Sequence, residues 1–126
     1  NGNPLSAAAG LAVLEHIADG AVHRQINSLG ERLRQELQSV FDRHDVGALV
    51  NGETSYWHMS LTGAPVKGGL AGPAGVALQR ALIAEGVHII SGGGFVSAAH
   101  TEDDIDQTAD AFDRAIRAVA SEGLLG

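Results

Sequence analysis

Between positions 4 and 17 the chain offers a helix without a polar side. Leu5, Ala7, Ala8, Ala9, Leu11, Ala12, Val13, Leu14 and Ile17 fall on nearly every face, and the first charge is Glu15. A helix resting on the surface of a globular domain carries one apolar stripe and a polar back, so a helix of this composition has to be covered on all sides. Ala8, Ala9, Gly10 and Ala12 are small enough to let another backbone approach closely. The start is written in two residues: Asn3 can cap free N–H groups, and Pro4 suits a first helical position, where its missing donor is not needed. The expected helix runs over 4–19.

The rest of the chain supplies elements of both periods. Ile26, Leu29, Leu33, Leu37 and Val40 recur at spacings of three and four, predicting an amphipathic helix over 21–43. Period two replaces them over 48–51 and 55–62, where Trp57, Met59 and Leu61 alternate with Tyr56, His58 and Ser60. Residues 63–75 are rich in Gly and Pro and read as a loop. A short helix is expected over 73–85, closed by Gly86 as a left-handed cap. Residues 87–91 and 95–98 read as two further strands joined by a tight turn at Gly92, Gly93 and Gly94. Thr101 with Asp104 forms a capping box for a last helix that carries Ile105, Ala109, Phe112, Ile116 and Val119 and frays near Gly123. The predicted order is ααββαββα, an α+β domain with its helices on one face of a small sheet.

Composition narrows the function. In 126 residues, 44% are hydrophobic and 18% charged, enough for one folded domain. A net charge of -7 repels phosphate backbones and anionic lipid, so no nucleic acid and no membrane is expected as partner. With no Cys there is neither a disulfide framework nor a thiolate metal site, which fits a reducing, cytoplasmic setting. The uncharged stretch over 1–14 is too short to span a bilayer. A start at Asn1, with Pro4 already opening an apolar helix, reads as a segment of something longer.

The chemistry-bearing residues stay apart. The six His lack the spacing that puts two imidazoles on one helical face, so no metal site is expected. His58 reads as a solvated or hydrogen-bonded imidazole, and His100 as an anchor beside a helix cap. The Gly-rich loop is not followed by the Lys and Ser or Thr of a phosphate-binding loop. Lys67, the only lysine, sits in a polar loop and reads as a solvated ammonium. From the residues alone, the chain is an α+β module without a complete active site, and a noncatalytic binding or dimerisation module stays open.

One resemblance runs through the whole chain. Gly2-Asn3-Pro4-Leu5, then 8–12 and Leu14-Glu15, resemble the opening of the C-terminal part of class III pyridoxal-phosphate aminotransferases, including their glutamate-1-semialdehyde aminomutase branch. Residues 29–33 resemble that family's long interdomain helix, Gly86-Val87 its short strand, and 95–105 the entry to its last helix. The resemblance implies the small C-terminal domain of a fold type I homodimer that moves an amino group between a small-molecule donor and a carbonyl acceptor. It divides the chain into 1–20, a helix packed on a large N-terminal domain, and 21–126, the small domain. The cofactor-holding lysine of the family lies upstream of the G-N-P motif, as does a threonine that contacts the cofactor phosphate, and Lys67 does not match that lysine. Neither pyridoxal phosphate nor catalysis is therefore expected on this segment alone. Asn1, Gly2 and Asn3 would stand beside the phosphate as scaffold, and Gly92, Gly93 and Gly94 would border the substrate entrance. Where many aminomutase-like members carry P-S-x-x-E-A, this chain has only Ile90, Ser91 and the glycines, so the family's glutamate is missing and the substrate pair is left open.

Overall fold

A computed structural model describes residues 2–61, 70 and 72–125. In chain order these form α1 (Pro4–Ile17), α2 (Ala21–Arg43), β1 (Ala48–Asn51), β2 (Tyr56–Leu61), α3 (Pro73–Ala84), β3 (Gly93–Phe95) and α4 (Glu102–Ser121). The strands make one antiparallel sheet in the order β1-β2-β3. The α+β class is as predicted, with helices gathered on one face of a small sheet.

The helix boundaries follow their caps. Asn3 Oδ1 accepts from the Leu5 N–H at 2.9 Å, and Asp19 Oδ1 accepts from the Ala21 N–H at 2.8 Å. At α4, Thr101 and Asp104 satisfy each other's N–H groups, a complete capping box. After α3, the Gly86 N–H donates to Ile83 O and the Val87 N–H to Leu82 O at 2.8 Å, with Gly86 at φ +85°. That pair of bonds is a left-handed helix closure, and it gives Val87 a helical partner in place of a strand partner.

This explains the first of two corrections. The strand expected over 87–91 is absent: only Ile90 pairs, in a single bridge to Gly93. The second concerns the glycines. The turn is made by Ser91 and Gly92, at φ +51° and +87°, and the Ile90 and Gly93 N–H groups each bond the other residue's carbonyl at 3.0 Å. Two positive φ values in a two-residue loop suit the twist of a tight hairpin. Gly93 and Gly94 thus lie in β3, not in a turn, and the expected strand over 95–98 ends early. After Val96 bonds Ser55 O, the backbone turns at Ser97, whose N–H donates to His100 Nδ1 at 3.0 Å. The observed order is ααββαβα.

The core lies between the sheet and α2, α3 and α4. Leu33, Leu37, Val40 and Phe41 face Ile105, Phe112 and Ile116, while Trp57, Met59 and Leu61 close it from β2. Phe112 is its hub, meeting Phe41 edge-on at 6.2 Å and Trp57 at 6.1 Å between ring centroids. No polar or charged side chain is buried among the described residues. Helix α1 contributes nothing to this core: none of its residues is buried, and Leu5 is 78% and Leu14 63% exposed.

Candidate functional site

Of the residues expected at a site, Asn1 and Lys67 lie outside the described residues. Gly2, at φ +88°, is exposed ahead of α1, and Asn3 has its side-chain oxygen committed to the cap. Gly92, Gly93 and Gly94 belong to the hairpin at the edge of the sheet. The two groups sit on different elements.

The hairpin tip is bound firmly to β2. The Met59 N–H donates to Gly92 O at 2.8 Å, and His58 Nε2 lies 3.1 Å from Ser91 O. A carbonyl can only accept, so the imidazole carries its proton on Nε2. His58 is hydrogen-bonded on the outer sheet face, as its place in the alternation predicts. Gly93 is demanded by packing: a Cβ there would stand 2.3 Å from Trp57 O. At Gly94 a Cβ would meet Trp57 Nε1 at 3.3 Å, so the bare glycine lets the strand lie close against the indole.

Beyond the Ile90–Gly93 bridge the hairpin's two arms stop pairing, and a groove of about 660 Å³ opens between them and the first turns of α4. Trp57, Ile89, Val96 and Ile105 line its apolar part; His88, His100, Asp104 and Arg114 line its polar part. Its charged groups hold the fold. Asp104 accepts from both the Thr101 N–H at 2.7 Å and the Thr101 hydroxyl at 2.8 Å, and the first of these bonds chiefly holds its carboxyl below the usual carboxylate range. Arg114 donates to Glu85 at 2.6 Å. His100 accepts the Ser97 N–H on Nδ1, which leaves Nε2 to bear the proton of the neutral ring. His100 is therefore an anchor beside a cap, as the sequence suggests. These groups position backbone; they do not assemble a nucleophile with its base, and no cluster of three potential metal ligands occurs among the described residues.

Sequence reasoning missed the bridges between α2 and α4. Arg32 pairs with Glu102 and Asp106, and Asp113 collects His44 at 2.7 Å, Arg43 at 3.7 Å and Arg117. Hydrogen bonds from Arg117 and then His44 hold the Asp113 carboxyl down to about 2. Arg117 stands one turn after Asp113 and is legible as an i,i+4 pair. The α2 partners lie some seventy residues away, and no local pattern announces them.

The chain matches no family model. It is 34% identical over 124 residues to a glutamate-1-semialdehyde 2,1-aminomutase of Staphylococcus epidermidis, and 32% to one of Staphylococcus saprophyticus. Each alignment takes in 92% of this chain and 29% of the relative. In fold it superposes on a transaminase with PLP bound at a TM-score of 0.80 and 30% identity, over 96% of this chain and 28% of the other. An ω-transaminase from Sphaerobacter thermophilus gives a TM-score of 0.79 at 23% identity, over 94% and 28%. The chain spans less than a third of the length of the proteins that it matches.

Proposed function

We propose that this chain, a segment of the pyridoxal-phosphate transaminase and aminomutase family, is the small C-terminal domain of a longer enzyme that transfers an amino group between an amine or amino acid and a carbonyl compound. The observation that carries the reading is the double match, in sequence and in fold, over nearly the whole chain but under a third of each relative. We divide the chain at Gly20: residues 1–20 pack on the large domain that the relatives' length supplies, and 21–126 form the small domain. The bare, apolar α1 supports that division.

The described residues do not amount to a pyridoxal-phosphate site. They include no lysine, and the Asn3 side-chain oxygen is already occupied by the cap. When bound, the cofactor would supply the electron sink that amino transfer needs, and the large domain would hold it. This segment's part is to place surfaces. Gly2 and Asn3, at the positive end of the α1 dipole, would stand beside the phosphate, and Asn1 is assigned with them from the sequence alone. The hairpin of Gly92, Gly93 and Gly94, fastened to β2, would border the substrate entrance without moving. The two-residue turn of Ser91 and Gly92 also carries no carboxylate to match the glutamate of aminomutase-like members. A cytoplasmic homodimer is part of the reading; among the described residues no single helix is long and apolar enough to cross a membrane.

The test is the longer polypeptide's absorbance. After removal of unbound cofactor it is expected to be yellow and to be bleached by borohydride, while the 126-residue segment, given the same cofactor and freed of the excess in the same way, is colourless. A colourless longer polypeptide that takes up no pyridoxal phosphate would end this proposal.

A further inference from the structure

An antiparallel sheet can leave one face in water, and that face then carries polar residues opposite the buried apolar ones. The outer face here does not keep to that rule. Tyr56, His58 and Ser60 point away from the core, and the register sets Phe95 beside Tyr56, Asn51 beside His58 and Leu49 beside Ser60. Ile90 joins the same face through its bridge to Gly93. Four of these residues are large and apolar, and they stand open: Leu49 at 53%, Tyr56 at 40%, Ile90 at 73% and Phe95 at 72% exposed. Tyr56 and Phe95 already form a pair, with ring centroids 5.2 Å apart. No Asp, Glu, Lys or Arg occupies any of these positions, whereas the ion pairs among the described residues join α2, α4 and the end of α3 on the other side. The outer sheet face is thus uncharged and largely apolar, the pattern of a face set against a partner.

We infer that this sheet face is a docking surface whose occupant is the remainder of the same polypeptide, an apolar surface of the large domain with hydrogen-bonding groups opposite Asn51 and Ser60. The inference rests on the reading of the chain as one domain of a longer enzyme. The relatives are more than three times as long as the aligned segment, so a body larger than this domain is covalently attached to it. A tethered body acts at an effective concentration that a second, free copy does not reach, and it takes the patch first. The sheet face is a separate surface from α1. The large domain therefore holds the small one at two places, one helical and one made of strand side chains.

Hydroxyl-radical footprinting of the longer polypeptide reads the Tyr56 and Phe95 rings directly. Both are expected to be oxidised roughly tenfold more slowly than in the denatured polypeptide, at the slow pace of the buried rings Phe41 and Phe112. If Tyr56 and Phe95 react at the rate of rings left in water while the yellow chromophore is present, the docking inference fails and the family reading stands. If protection is present but vanishes on dilution, a second copy is the occupant and the inference is again overturned. Protection that survives dilution in a polypeptide without chromophore upholds the docking surface and removes the enzymatic reading instead.

Discussion

Replacing Phe112 with Ala tests the core at the point where three elements meet. The ring is fully buried on α4 and stands edge-on to Phe41 of α2 and Trp57 of β2. Removing a buried Phe side chain costs about 3–5 kcal/mol through lost transfer energy and the cavity left behind. Each edge-on pair adds about 0.5–1.5 kcal/mol beyond its area, which places this site at the upper end of that range, near 5 kcal/mol. Native domains hold only about 5–15 kcal/mol in total, so the variant should lose from about a third of its stability to all of it. At roughly 4 °C per kcal/mol for a chain of this size, the melting temperature should fall by about 20 °C. Urea unfolding followed by circular dichroism and by the single Trp gives the number, with Phe112→Leu as a companion that keeps most of the volume. A loss under about 1.5 kcal/mol for Phe112→Ala would show that the ring is not the hub, and that the three elements are held together elsewhere.

Asp113 titrates at about 2 in the fold, below the roughly 3.9 of an unfolded Asp, so its contribution is full above pH 4 and drains away as the pH falls toward 2. Asp113→Asn should accordingly cost about 1–2 kcal/mol near neutrality, after allowance for solvent screening, and almost nothing at pH 2 in denaturant titrations at the two pH values. Gly93→Ala puts a methyl 2.3 Å from Trp57 O and should detach β3, seen as loss of amide-exchange protection at Met59 and Val96 with the helices intact. Thr101→Ala removes the hydroxyl half of the capping box and should lower stability by about 1 kcal/mol, while the Asp104 carboxyl rises only part of the way in an NMR titration, because the backbone N–H at 101 that chiefly holds it down remains. Leu11→Asp on the bare α1 should raise the solubility of the isolated segment and impair the longer enzyme; equal loss of folding in both would show that α1 belongs to this core after all.

Elements built on local chemistry were the legible ones. Asn3-Pro4, Gly86 and Thr101 with Asp104 each dictate their own backbone, and each boundary falls where its cap places it or within two residues. The strands past Gly86 were misread because their fate depends on distant groups. Val87 is drawn into the α3 closure, Gly93 is fixed by the carbonyl of Trp57, and Ser97 is turned back by the His100 ring. A run of three glycines shows that a tight passage exists but not which of them makes the turn, since that is set by the register with β2. The site was legible only in outline for a similar reason. The apolar character of α1 is plain in sequence, whereas the exposed apolar patch on the outer sheet face comes from the register that brings Leu49, Ile90 and Phe95 beside β2, which no local pattern announces.

The junction between α1 and α2 has a consequence for how such enzymes change over time. Gly20, at φ +72°, separates a helix with no buried residue from a body whose core closes without it. A genetic crossover at that codon would break no core contact and strand no buried polar group, at the expense of the bonds from the Ala21 N–H and Arg24 to Asp19. The segment after Gly20 could then be traded as a cassette with its interior intact, and on the docking inference selection would act on the fit of its outer sheet face.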